Sequence, residues 1–231
     1  MKKRFFMIAI LLTTVLYGLD FERESEYQNA CDRGDAKACV ALGAMYHSGD
    51  GVLQNFARAK ALYLYACELG LGSGCANVGY MYENGHAGEN LSLALQWYER
   101  ACALGDGEGC MSVALMHENG TGVSEDMQKA VDYHDRACAY GVGRSCAHLG
   151  LLYEQDENVV DAVIYYQRAC DAGVAESCVR VGEMYYTGQG VAQNEQKAEE
   201  AFQKACDLGE ESGCKNVTIL QSNKVWFKAS H

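Results

Sequence analysis

The sequence contains no proline. Helix interiors can therefore run unbroken, and turns must be made with glycine, asparagine and aspartate. Basic charge is scarce: 19 Lys and Arg stand against 31 Asp and Glu, a net charge of -12. Such acidity argues against nucleic acid and against anionic lipid headgroups as partners. No stretch after residue 18 is apolar enough to span a membrane. Several catalytic signatures are missing too. There is no Cys-x-x-Cys for redox work, no His-Glu-x-x-His for zinc, and no Ser-Asp-Asn or Lys-Thr-Gly element. No cofactor is expected.

What is present begins with a leader. Lys2, Lys3 and Arg4 precede an apolar run from Phe5 to Leu16, followed by Leu16-Tyr17-Gly18 and the charged Asp20. This reads as a secretory signal over residues 1–18, too short for a spanning helix, with the mature chain periplasmic or secreted and free of the membrane. Cleavage would take the net charge to -15.

Twelve cysteines fall in six pairs, each eight residues apart: Cys31/Cys39, Cys67/Cys75, Cys102/Cys110, Cys138/Cys146, Cys170/Cys178 and Cys206/Cys214. The pairs recur every 32 to 36 residues, which is the signature of a repeat architecture. With the second cysteine of each pair as position 1, apolar residues recur at positions 4, 7 and 8, as in Cys39-Val-Ala-Leu-Gly-Ala-Met-Tyr46. That is helical spacing and defines a helix A. Position 5 holds Gly43, Gly79, Gly150 and Gly182. A helix-interior glycine costs about 1 kcal/mol against alanine, so its recurrence predicts a close helix–helix approach. A glycine-bearing turn follows, then a second amphipathic run such as Ala59-Lys-Ala-Leu-Tyr-Leu-Tyr-Ala-Cys67. This helix B ends before Gly70, Gly105, Gly141, Gly173 or Gly209, suited to a left-handed C-terminal cap.

The expected fold is all-α: one solenoid over residues 19–223, with about five helix–turn–helix units between terminal half-repeats. Residues 22–33 would supply the leading B helix and 211–223 the closing A helix. Residues 224–231 form a tail in which Val225-Trp226-Phe227 could cap the last helix. The unit near 147–170 is four residues short at Tyr153-Glu-Gln-Asp-Glu-Asn158, predicting a truncated turn there.

Pairing within each eight-residue step is the local solution for the cysteines, because two ends of a tight helix corner fall within disulfide reach. Pairing across a hairpin, such as Cys39 with Cys67, is the alternative. Thiolate metal sites favour closer knuckles and histidine partners.

The pattern of Leu42-Gly43-Ala44-Met45-Tyr46, Gly49-Asp50-Gly51-Val52 and Lys197-Ala198 through Ala205-Cys206 resembles the Sel1-like repeat, a relative of the tetratricopeptide repeat. The cysteine pairs behind a leader resemble the Helicobacter cysteine-rich protein family, over about residues 20–223. The resemblance implies a right-handed α/α superhelix, disulfides between consecutive helices, secretion, and penicillin binding with β-lactamase activity. It is the resemblance alone that implies the hydrolase, and with it a β-lactam or peptidoglycan-derived ligand.

Candidates for such chemistry are few. The single Ser-x-x-Lys is Ser212-Gly-Cys-Lys215, where Ser212 could equally serve as an N-cap. His47, His86, His117, His134 and His148 are scattered over several repeats. Positions 3 and 6 of helix A supply a polar strip of Asn77, Tyr80, His148, Arg180 and Glu183, on the face that lines the concave side of such solenoids. That strip suits a peptide, a muropeptide or a protein partner, and makes a non-catalytic, monomeric scaffold the second functional reading.

Overall fold

The computed structural model describes residues 22–229, and side chains as far as residue 222. The leader lies outside the described residues, as do the side chains of Val225, Trp226 and Phe227. Twelve helices are found among the described residues. The B helices are α1 (22–32), α3 (Phe56–Glu68), α5 (Leu91–Ala103), α7 (Met127–Ala139), α9 (Val159–Asp171) and α11 (Glu195–Asp207). The A helices are α2 (Ala36–Ser48), α4 (Gly72–Glu83), α6 (Gly107–Asn119), α8 (Gly143–Gln155), α10 (Ala175–Thr187) and α12 (Glu211–Ala229). The chain divides into two compact units at Glu125/Asp126, so α1–α6 form the first and α7–α12 the second.

All six eight-residue pairs are disulfide-bonded, and no cysteine is free. The first unit holds Cys31–Cys39, Cys67–Cys75 and Cys102–Cys110, with Cα–Cα distances of 4.7, 4.8 and 4.5 Å. The second holds Cys138–Cys146, Cys170–Cys178 and Cys206–Cys214, at 4.8, 4.6 and 4.6 Å. Each bridge joins the last turn of a B helix to the first turn of the following A helix. The cross-hairpin alternative is therefore excluded. Cys39 bonds to Cys31 rather than to Cys67, and Cys146 bonds to Cys138 rather than to Cys170. Cys146 is buried at the start of α8, packed with Cys138, Leu149 and Ala169. Its N–H donates to the carbonyl of Val142, which opens the helix without a side-chain cap. The glycine after each B helix is left-handed, from φ +84° at Gly105 to +92° at Gly209, where a side chain would be strained.

Turns from A to B are anchored the same way in both units. The side chain of an asparagine caps the B helix, at Asn55, Asn90, Asn158 and Asn194. Its own N–H donates back to the carbonyl of a helix-A tyrosine: Tyr46, Tyr82, Tyr153 and Tyr185, at 2.7 to 3.0 Å. The short fourth turn keeps this bond, and is closed by Glu157 at φ +59° where other turns use glycine.

The core is built on one recurring contact. A Cβ placed on Gly43, Gly79, Gly150 or Gly182 would lie 2.5 to 2.9 Å from ring atoms of Tyr63, Tyr98, Tyr166 or Phe202. The helix-A glycine is therefore the seat of a helix-B ring, and the close approach expected from the sequence is observed. Leu42, Val78, Val113, Leu149 and Val181 at position 4 are buried beside it. On α12 position 5 is an exposed Thr218.

Three core tyrosines carry a part-buried hydroxyl bonded to a carboxylate: Tyr46 of α2 to Glu24, Tyr98 to Glu83 at 2.6 Å, and Tyr166 to Glu154 at 2.8 Å. Burial pushes Tyr63 up to about 12, and burial with the carboxylate bond does the same for Tyr46 and Tyr166. Tyr98 and Tyr165 are raised for the same two reasons. A folded pKa above the unfolded value of about 10 leaves stability intact below pH 10 and removes it as pH rises through the folded values. We therefore expect cooperative alkaline unfolding between about pH 10 and 12, with phenolate absorbance and far-UV circular dichroism changing together. Full phenolate absorbance, buried rings included, developing near pH 10 with the helical signal intact would contradict it.

Candidate functional site

The two halves of the polar strip lie in different units. In the first unit, Asn77 on α4 donates to the Ser73 carbonyl at 2.9 Å, a local helix bond. Tyr80 on α4 is 45% exposed and meets the His47 ring edge-on at 5.9 Å. His47, in the last turn of α2, reaches His86 in the turn after α4, with Nε2 and Nδ1 only 2.8 Å apart. Phe56 stacks on His86 at 4.5 Å and an interplanar angle of 2°. Burial and the neighbouring imidazole lower the His47 pKa. The sequence places these histidines in separate repeats, and the fold brings them together.

In the second unit, Arg180 on α10 lies between two carboxylates, pairing with Glu154 on α8 and with Glu183 at 2.5 Å. Its charge is thereby neutralised, and a carboxylate ligand finds no unpaired cation among these strip residues. His148 packs against His134, ring centroids 4.6 Å apart, and His134 Nδ1 lies 3.1 Å from Ser145 Oγ. This serine–histidine pair is not legible in the sequence. Both residues are buried and Ser145 is wholly inaccessible, so the contact satisfies buried polar groups rather than presenting a nucleophile. The neighbouring Cys146 is held in its bridge to Cys138 and adds no thiolate to the group.

Ser212 sits within the first turn of α12. Its hydroxyl donates to Glu210 Oε1 at 2.7 Å, while Lys215 pairs with Glu211 at 2.7 Å. Glu210 fills the capping place expected of Ser212, accepting its N–H as well at 3.3 Å. The carboxyl of Glu210 is held below its usual range chiefly by those two bonds. The serine is thus engaged by a carboxylate, and the bond shown for the lysine goes elsewhere.

An apolar row is also exposed. At position 6 of the A helices, Tyr80 and Leu115 are exposed in the first unit, and Leu151 and Ile219 in the second. Between α10 and α12 lies a cleft of about 170 Å³. Phe202 and Leu220 form its buried floor, and Glu183, Tyr186, Asn216 and Ile219 its rim. No described helix is long and apolar enough to cross a membrane.

A family model described as Sel1 repeat matches residues 36–71, 72–106, 107–142, 137–174 and 175–210. The chain belongs to the Sel1 repeat family. The matches coincide with the successive A–B helix pairs from α2–α3 to α10–α11. Among solved structures, the Sel1 chain is similar to a protective antigen of uropathogenic Escherichia coli with an SLR fold. The identity is 24% over 86% of this chain and 44% of that one, with a TM-score of 0.71; the present chain thus spans less than half of the antigen. It is also similar to a Sel1 repeat protein from Oxalobacter formigenes, 24% identical over 84% of this chain and 87% of that one, TM-score 0.65. These two likenesses establish the fold. Helicobacter pylori cysteine rich protein B is 27% identical over 70% of this chain and 94% of that one, with a TM-score of 0.31, too low a superposition to argue from. No curated protein matches the sequence significantly. Six disulfides without a free thiol fit an oxidising, extracytoplasmic compartment.

Proposed function

We propose that this Sel1 repeat protein is a secreted, non-catalytic scaffold that binds peptide or protein segments on its A-helix faces. The observation carrying this reading is the cleft between α10 and α12, flanked by the half-exposed Tyr186 and Ile219. Exposed apolar side chains around a preformed recess suit an apolar anchor residue. Glu183 on the rim and the net charge of -12 favour basic residues beside that anchor.

β-Lactam hydrolysis, carried by the family resemblance, is the second reading. It has less support, because the Ser212 hydroxyl donates to Glu210 and Lys215 pairs with Glu211. The anionic carboxylate of a penicillin would also meet an Arg180 already held by two glutamates.

Selection of phage-displayed random peptides on the oxidised protein tests the proposal. Enriched peptides should combine a bulky apolar residue with Lys or Arg, and should lose binding to Ile219→Asp by about tenfold or more, the cost of removing an interface anchor. Lack of enrichment, or binding indifferent to that change, would sink it. In parallel, a chromogenic cephalosporin should show no turnover above a mock preparation. Turnover co-eluting with the protein and abolished by Ser212→Ala would establish the hydrolase instead.

A further inference from the structure

The histidine pair of the first unit has no part in the peptide-binding reading, yet its geometry is specific. We propose that His47 and His86 form a binding site for a divalent transition ion of tetragonal preference, with copper the strongest fit.

The argument begins with donor atoms. His47 Nε2 and His86 Nδ1 stand 2.8 Å apart. Metal–imidazole bonds are about 2.0 Å long, so two nitrogens at that separation subtend about 90° at a shared metal. That is a cis corner of a square-planar or tetragonal site, the geometry of Cu2+ and Ni2+, while a tetrahedral ion would hold the nitrogens further apart. Between these two ions, Cu2+ binds nitrogen donors more tightly.

The surroundings fit the same ion. Ring orientation is fixed by packing: Phe56 lies flat on His86, and Tyr80 stands edge-on to His47. Pre-set rings reduce the ordering cost of binding. His47 occupies the last turn of α2, where the helix dipole presents its negative end and favours a cation. Both histidines are half-buried, leaving the remaining coordination positions to water. All twelve cysteines are oxidised, so no thiolate competes for the metal. The competing interpretation is a plain imidazole–imidazole hydrogen bond.

The site joins the end of α2 to the turn after α4, in successive repeats, so occupancy should brace one repeat against the next. A ligand that binds only the folded state raises Tm by mass action.

The test is titration of the oxidised protein with Cu2+, followed by electron paramagnetic resonance, together with thermal melts with and without Cu2+. The expected result is an axial signal with equatorial nitrogen splitting and a raised Tm. In His47→Gln and, separately, His86→Gln, affinity should fall about tenfold or more and the Tm shift should vanish. Melts of the metal-free variants separate loss of the site from loss of the fold. Zn2+ should bind more weakly than Cu2+. Absence of Cu2+ binding by the parent, or binding undiminished in both single variants, would overturn the site and leave only the hydrogen bond.

Discussion

Fully reduced and alkylated, the protein is expected to lose its cooperative helical melt near room temperature. Each bridge closes a loop of eight residues, which on the chain-entropy model stabilises the fold by about 2–3 kcal/mol. Six bridges give an upper sum of about 15 kcal/mol, as large as the whole stability of a typical domain, about 5–15 kcal/mol. Even allowing for strain and residual structure, the reduced chain falls below the folding threshold. Five of the six bridges are buried, with Cys39, Cys75, Cys102, Cys110 and Cys178 wholly inaccessible and only Cys206–Cys214 partly exposed, so reduction of those five should wait on local opening and be slow in native buffer. Far-UV circular dichroism after alkylation measures the outcome. A reduced chain melting as the oxidised one does would mean that packing alone holds the repeats. Single bridges should grade by place, because each repeat leans mainly on its neighbours. Cys206→Ala with Cys214→Ala should fray α12 alone, whereas Cys102→Ala with Cys110→Ala should lower the melt of the first unit. Alanine is the right replacement, since serine would bury an unsatisfied hydroxyl.

The repeat was legible because its signals are local and periodic. The cysteine spacing, the position-5 glycines and the glycines after each B helix all declare backbone requirements within one helix or one turn, and the structure meets each. Spacing alone left two pairings open for a residue such as Cys146, eight residues from Cys138 and twenty-four from Cys170; the tight corner between α7 and α8 decides for the nearer one. The shortened turn at Tyr153–Asn158 was legible for the same reason: a four-residue deletion within a fixed period has to fall somewhere. Contacts between repeats were not. Periodicity puts Arg180 and Glu183 on one face of α10, but it does not show that Glu154 of the preceding repeat reaches the same guanidinium. His47 and His86 are 39 residues apart, and His86 lies in a turn, outside any helical register. Ser212 misled because a serine near a helix start invites an N-cap assignment, while the first turn begins one residue earlier and Glu210 takes the cap. The extent of α12, running to Ala229 rather than ending near 223, carries no stop signal in a chain without proline.

A single methyl group should show how tightly the repeat is built. Gly150→Ala is expected to destabilise the second unit by about 1–2 kcal/mol, although alanine is the better helix former by about 1 kcal/mol. The added Cβ would lie 2.7, 2.8 and 2.9 Å from three ring atoms of Tyr166, closer than carbon atoms approach. Overpacking of this kind costs about 1–3 kcal/mol when neighbours cannot yield, and Tyr166 is poorly placed to yield. It is buried, and its hydroxyl is tied to Glu154, itself held by Arg180. Moving the ring would break that chain of bonds, so the clash outweighs the gain in helix propensity. Exposed Leu151, the next residue on α8, serves as control: Leu151→Ala removes no packed ring and should leave Tm nearly unchanged. The third repeat suggests its own rescue, since it carries Ala114 at the glycine position and His134 at the ring position. Tyr166→His in the Gly150→Ala background should therefore recover part of the loss. Thermal melts of the four proteins decide it. A rise in Tm for Gly150→Ala alone would mean that the glycine is a tolerated helix defect rather than the seat of the ring.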